Sequence, residues 1–593
     1  MSEQEDHLLR AFLQSGEVEQ ELTPETVKFE PGVGRRLAYH EPAHTLLVSA
    51  PFTEKEQLKA LGGIWRRDNP KGWSWYMTEK NLALLLDKIP FTNVDEKIEQ
   101  VIMGDRERKK LLSYYATAHE RSDPVCLRVP GLKTAGRKIR DYQKLGILFG
   151  SNARDGYLCG DEMGLGKTLC TIAVALWRKA YCGAKRCLVI VPASVKFNWR
   201  DELKIWSDEP FTIIHGPPKK RALQWKEKTF FKVVNTELVV QDRPGTPELN
   251  EPWDLIIFDE VHAIKRWSSK RSMATKELKL APNGLKIGLS GTPIDGHLED
   301  LQSVFEFLIP GLLPNAKTFR WRYTVKDEYG GTAGYKNVEE LNDVISPFFI
   351  RRLKKYVAKD LPEKIFKAIY VDLSGEEEDL YKDLVQQRHH ITCDAEAMTV
   401  VLRARQFCDS PSLLDMQPVV GAKLKKALEL LDELISSGQK ILLFTMFEKM
   451  VRILKQCCDE RGWKYSTITG ETPMIERADI ARRFNEDTSV DICVMDEAGS
   501  TGLNFQAATY VIHYDDNWSP AIMKQRTDRA HRITTTHPVT VINLVCSDTI
   551  EEKRVRLVIS EKDQISAAAL GDDFQDVAAL GPTLTSRELL KLL

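Results

Sequence analysis

Five short stretches of this sequence carry polar residues whose types and spacing could do phosphoryl chemistry. In "GDEMGLGKT" (160–168) Gly164 and Gly166 let backbone N–H groups turn inward toward an anion, and the helix expected from Lys167 adds its positive end. Lys167 can reach the β- and γ-phosphates of a nucleotide, and Thr168 can hold Mg2+. The loop departs from the general pattern G-x-x-x-x-G-K-[ST], because Asp161 stands where the first glycine belongs. In "IIFDEVH" (256–262) Asp259 is placed to hold the same Mg2+, and Glu260 to orient or deprotonate an attacking water. In "MKQRTDRAHRI" (523–533) Gln525, Arg529 and Arg532 share one face of a helix, which is either a solvated basic face or an arginine-finger surface. "LSGTPI" (289–294) and "VMDEAG" (494–499) are two more polar clusters that end apolar runs.

These clusters need a scaffold that gathers them. "CLVIVP", "FKVVNT", "DLIIFDE" and "KIGLSGT" in the first half are short, β-branched and nearly continuously apolar, as are "KILLFT", "DICVMD", "TYVIHYD" and "VTVINLV" in the second. That is how strands buried on both faces of a parallel sheet read. Amphipathic stretches such as 167–181 and 422–438 alternate with them. The fold class is α/β, with two parallel sheets flanked by helices. Ligands bind at the carboxyl ends of strands in such sheets, where the polar clusters fall.

The 593 residues are 42% hydrophobic and 28% charged, with a net charge of -1. Bulk charge therefore does not announce a nucleic-acid partner, and any basic surface must be local. No run of about 18 uncharged apolar residues exists, so no membrane span is expected. The 11 cysteines form no C-x-x-C pair, which fits reduced thiols and argues against a structural zinc site. The acidic, polar start does not read as a secretory signal.

Taken as an ordered set, the motifs resemble the SWI2/SNF2 branch of superfamily 2 helicase-like ATPases. The loop "DEMGLGKT" is that branch's form, which places Asp161 with the ATP-binding residues. "IRDYQKLGILF" resembles the adenine-reading Q motif, implying Arg140 and Gln143 beside the base. "LVIVPASVKFNW", "VVNTE", "FDEVHAIK", "LSGTPI", "KILLFTMF" and "QRTDRAHRI" resemble motifs Ia, Ib, II, III, IV and VI. "FFIRRLKKYVAKDLPEK" (348–364) resembles the family's brace between lobes. The resemblance spans roughly 135–560 and implies two RecA-like lobes with ATP and Mg2+ between them. Lys167, Asp259, Glu260, Arg529 and Arg532 are then catalytic, with Gln525 beside the nucleotide. DNA-tracking contacts are implied at Lys196, Thr236 and Ser500. Departures are "DEAGSTGLN" in motif V, "TTTH" after motif VI and "DGH" after "SGTPI", all at positions that couple lobes.

Residues 36–92 read as a small α+β module crowded with Trp65, Trp73 and Trp75 beside Arg66 and Arg67. The tryptophans either fill a very small core or present an aromatic, basic surface to DNA. The layout is similar to the HARP module of annealing-type SNF2 enzymes. The expected organisation is a flexible 1–35, the module 36–92, a linking helix in 93–134, lobe 1 at 135–310, helical insertions and brace at 311–420, lobe 2 at 421–560 and a tail at 561–593. The implied function is ATP-driven translocation on double-stranded or branched DNA by a monomer in a bacterial or phage-infected cytoplasm, or in a nucleus. Rival readings are a strand-separating DNA or RNA helicase, a nucleotide-binding clamp that does not hydrolyse, and a chromatin or transcription-complex remodeller.

Overall fold

A computed structural model describes residues 34–40, 44–66, 72–117, 127–134, 136–291, 298–326, 332–358, 360–386, 394–416, 420–487, 489–497, 502–517, 520–532 and 535–552. The expected flexible N-terminus, almost to its end, and the whole of the expected tail lie outside them. The chain divides into two compact units, Met1–Asp105 with Gly311–Thr318, and Arg106–Pro310 with Phe319–Leu593.

The first unit is built on a five-stranded sheet of order β3-β4-β2-β1-β5, from β1 (Arg36–His40), β2 (Thr45–Ser49), β3 (Ile64–Arg66), β4 (Gly72–Tyr76) and β5 (Asn93–Val94). Pairing is antiparallel except between β1 and β5. Helices α1 (Lys55–Ala60) and α2 (Glu79–Lys88) complete it, α2 capped by the Thr78 side chain, which accepts from Asn81 N. Leu37, Leu46, Val48, Leu58, Trp73, Trp75 and Leu85 form its core. The unit is larger than the expected module. It takes in Gly311, whose carbonyl accepts from Tyr76 N, and the start of α3 (Lys97–Thr117).

The second unit holds two all-parallel sheets. Lobe 1 has seven strands in the order β14-β6-β11-β10-β7-β9-β8. They are β6 (Asp155–Cys159), β7 (Cys187–Val191), β8 (Phe211–Ile213), β9 (Phe231–Asn235), β10 (Trp253–Asp259), β11 (Leu280–Leu289) and β14 (Phe349–Ile350). Lobe 2 has six in the order β15-β20-β19-β16-β18-β17, from β15 (Lys364–Val371), β16 (Ile441–Phe444), β17 (Tyr465–Ile468), β18 (Ile492–Met495), β19 (Tyr510–His513) and β20 (Val539–Cys546). Every strand expected from an apolar run is present. The central ones, such as β7 and β16, are buried at every position, the condition that erases alternation.

The helices that matter for the site are α4 (Asp141–Asn152), α5 (Lys167–Cys182), α6 (Lys196–Trp206), α7 (Thr236–Asp242) and α8 (Lys270–Lys276) in lobe 1. Lobe 2 contributes α9 (Ala422–Ser436) and α10 (Pro520–Thr527). Each fully buried Val, Ile or Leu contributes about 1.5–3 kcal/mol, so the two sheet cores dominate the stability of this unit.

One expectation is corrected. The region 311–420 is not purely helical: it supplies an edge strand to each sheet and the hairpin β12 (Thr324–Lys326) with β13 (Thr332–Tyr335). β14 has only two residues, too few for a periodic signal. β15 is mostly exposed and carries lysines, so it does not read as a buried strand. Among the described residues no helix is long and apolar enough to cross a membrane.

Candidate nucleotide site between two lobes

Strands β6, β11 and β10 are neighbours in the lobe 1 sheet, and their carboxyl ends release the phosphate loop, Ser290 and the Asp259–Glu260 pair side by side. In the loop, Gly164 and Gly166 have φ of 81° and 85°, values that L side chains resist. Gly166 caps α5 in the left-handed conformation, and a Cβ there would meet Gln143 Nε2 at 2.5 Å. Lys167 Nζ donates to the carbonyls of Asp161 (2.7 Å) and Glu162 (3.4 Å), inside the loop it is expected to serve. Thr168 follows, half-buried in the first turn of α5.

Asp259 and Glu260 are adjacent carboxylates with different fates. Burial and the neighbouring Glu260 push the Asp259 carboxyl up to about 6, against the opposing pull of the Trp199 N–H and Lys167. Burial pushes Glu260 up too, but His262, Lys167 and Arg529 outweigh it and hold Glu260 below the usual range. His262 Nδ1 lies 3.3 Å from Glu260 Oε2 and 3.2 Å from Ser290 Oγ. Glu260 sits at φ 52°, a strained backbone for a non-glycine residue that costs on the order of 1–3 kcal/mol. The donor set fits Mg2+: hard oxygen ligands from Thr168 and Asp259, beside a like charge whose repulsion a divalent cation relieves.

Lobe 2 brings its arginines to this loop. Arg529 Nη2 is 3.8 Å from Met163 Sδ, and a Cβ on Gly164 would meet the Arg532 Cα at 3.4 Å. Arg529 donates to the carbonyls of Gln525 (3.2 Å) and Leu503 (3.2 Å), and Arg532 to Leu503 O (2.6 Å). Neither guanidinium has an ion-pair partner among the described residues. Burial and the adjacent Arg532 pull Arg529 down to about 9, the signature of a buried cation short of an anion. Gln525 is buried in α10, but that helix ends at Thr527, so Arg529 and Arg532 lie beyond it and do not share with Gln525 the helix face that the spacing implies.

Several of the expected site residues are engaged in contacts within the protein. Asp161 is fully buried, and its carboxylate takes both Arg352 Nε (2.9 Å) and Nη2. A glycine there would leave Arg352 a buried charge without its partner. Arg140 pairs with Asp360 at 2.7 Å, and Gln143 bonds Leu165 O and Arg140 N, so both brace the loop and the start of α4. Lys196 is buried, its Nζ bonded to Asn235 Oδ1 (2.9 Å) and Ile214 O (3.1 Å), and Thr236 is buried at the start of α7. Neither side chain is presented for tracking DNA. Trp73 and Trp75 are core residues, 6% and 2% exposed, Trp75 donating to Leu61 O, whereas Trp65 is 48% exposed. Ser500 and Arg67 lie outside the described residues, as does the Arg66 side chain.

The segment expected to brace the lobes, 348–364, runs as a strap between them, and its individual contacts were not legible in the motifs. Gly160 N and Glu162 N donate to Ile350 O and Arg352 O, zipping residues 350–352 onto the loop. Lys354 then donates to Asp528 (2.8 Å) and His531 O (2.6 Å), and Lys364 also reaches Asp528 (2.8 Å). Glu162 pairs with Lys524 at 3.0 Å. The available signal was the run of lysines in the segment, Lys354, Lys355, Lys359 and Lys364, and the single acidic residue, Asp528, within motif VI.

A glycine loop and an acidic pair at the carboxyl ends of one parallel sheet, met by the arginines of a second parallel-sheet lobe, define a two-lobed RecA-like nucleotide-binding protein. The SNF2-related domain model matches residues 71–459 and the helicase conserved C-terminal domain model residues 422–534. The chain belongs to the SWI2/SNF2 family of superfamily 2 helicase-like ATPases. It is 33% identical over 442 residues to a putative ATP-dependent helicase/translocase of Bacillus subtilis, covering 70% of this chain and 47% of that one. It is 29% identical to the human SWI/SNF-related matrix-associated actin-dependent regulator of chromatin subfamily A member 1, over 86% of this chain and 53% of that one. The chain thus spans about half the length of the curated relatives it matches. A solved Sulfolobus solfataricus SWI2/SNF2 ATPase core in complex with dsDNA shares 31% identity with a TM-score of 0.38, covering 76% of this chain and 96% of that one.

Proposed function

We propose that this chain hydrolyses ATP and uses the cycle to translocate on double-stranded DNA. The observation that carries the reading is Arg529: a buried guanidinium from lobe 2, without an ion-pair partner among the described residues, set against the phosphate loop of lobe 1 and near Glu260. A γ-phosphate between the lobes supplies the missing anion. Lys167 and the loop N–H groups hold the phosphates, Glu260 orients water, and Arg529 and Arg532 stabilise charge on the departing phosphoryl group. Mg2+, held by Thr168 and Asp259, supplies charge neutralisation at the phosphates when bound. ATP favours the closed cleft because both lobes contact it, and hydrolysis removes that preference.

DNA contacts are reassigned to exposed groups. In lobe 1 these are Arg266 and Trp267, in the segment between Glu260 and α8, and Lys270 at the start of α8, with Trp267 56% exposed. In the first unit Trp65 is the exposed aromatic, and the unit is read as a HARP-like DNA-binding module. The SNF2-type motif VI favours this function over a strand-separating helicase.

The test is ATP turnover with duplex, forked and single-stranded DNA and with RNA, side by side. Duplex or forked DNA should raise turnover most, and Lys167→Ala should abolish it. No stimulation by duplex DNA sinks the translocase reading, and normal turnover by Lys167→Ala sinks the site itself.

A further inference from the structure

Trp199 lies in the core of lobe 1 and is 2% exposed. A buried indole needs an acceptor for its N–H. Trp75 and Trp253 find backbone carbonyls, Leu61 O and Leu249 O. Trp199 instead donates to Asp259 Oδ2 at 2.8 Å, the carboxylate assigned to hold the metal. Asp259 Oδ1 accepts from Glu260 N at 3.0 Å. An aspartate χ2 is soft by itself. Two donors, one on each oxygen, set the plane of this carboxylate.

The helix that carries Trp199 also meets lobe 2. Asn198, the preceding residue, donates through Nδ2 to Gly502 O. A Cβ on Gly502 would fall on Val195, just before α6, so only glycine allows this approach. One turn further, Glu202 accepts from Trp206 Nε1 (2.7 Å) and lies within the electrostatic reach of Arg532. Asn198, Glu202 and Trp206 share one face of α6 by their spacing. The approach of lobe 2 and the orientation of Asp259 are therefore set by one helix.

We infer that Trp199 is a positioning residue: its indole N–H holds Asp259 in the orientation that binds Mg2+, and α6 links that orientation to contact with lobe 2. This rests on the nucleotide-site reading above. A hydrogen-bond partner behind a metal ligand typically changes metal affinity about 10–100-fold when removed.

The experiment measures binding of a fluorescent ADP analogue to the full chain in EDTA and in saturating Mg2+. In the parent protein Mg2+ should tighten binding. Trp199→Phe, which keeps a ring and deletes the N–H, should bind as the parent does in EDTA and lose most of the tightening, about 10-fold or more. Trp199→His, which returns a ring N–H, should recover part of it, and Trp199→Leu none. Equal weakening with and without Mg2+ overturns the inference and leaves Trp199 a core filler, as does an unchanged ratio. If Trp199→Phe does not fold, an isosteric benzothienylalanine at position 199 tests the same N–H. Loss of binding in the parent, or binding indifferent to Lys167→Ala, overturns the site reading instead.

Discussion

At the scale of single residues, the proposed hydrolysis divides its work between Glu260 and Arg529 by charge. Glu260 is held ionised by His262, Lys167 and Arg529 although buried, as a water-orienting base requires. Glu260→Gln should lower ATP turnover about 10²–10⁴-fold while nucleotide binding survives, read by phosphate release beside equilibrium binding. Arg529→Ala should cost about 10³-fold or more in DNA-stimulated turnover, with the Mg2+-dependent tightening of ADP intact. Equal loss of ADP binding would show instead that Arg529 supports the loop through Met163.

At the scale of elements, the strap from β14 to β15 fastens the phosphate loop to the motif VI segment just after α10 through Arg352, Lys354 and Lys364. Burial works against ionising Asp528, but Lys354 and Lys364 prevail and hold its carboxyl well below the usual range, while burial pulls Lys354 down to about 8. For a carboxylate lowered in the fold, stability is present above the unfolded pKa, near about 3.9, and is lost as pH falls further. Asp528→Asn should flatten the thermal midpoint's fall below about pH 4. It should also cost about 3–5 kcal/mol at neutral pH, because Lys354 stays buried without its anion. Thermal melts from pH 3 to 7 check both. In the first unit the same residue type has opposite roles. Trp75→Ala should cost about 3–5 kcal/mol in denaturant unfolding. Trp65→Ala should stay within about 0.5 kcal/mol of the parent yet weaken DNA binding by about 1–3 kcal/mol.

At the scale of the whole molecule, the proposed DNA binding by a chain with net charge -1 must be confined to local basic patches. Contacts mainly to phosphates make affinity salt-dependent and tolerant of sequence. If six or more phosphates are contacted, raising salt from about 50 to 200 mM should weaken duplex binding by about 10³-fold. A flat salt response, measured by fluorescence anisotropy on two unrelated duplexes, would remove the phosphate-tracking model.

The sequence by itself determined the two parallel sheets, because strands buried on both faces must be continuously apolar. It also determined the order of polar clusters at their carboxyl ends, because glycines, a lysine and an acidic pair at those spacings have few other uses. Tertiary structure alone decided which polar residues are spent inside. Asp161 meets Arg352 across 191 residues of chain, and Lys196 meets Asn235 across 39. Burial of a charge depends on a distant partner that no local pattern announces. The same holds for the tryptophans: composition could not say that Trp75 fills a core, that Trp65 faces solvent, or that the Trp199 indole ends on Asp259.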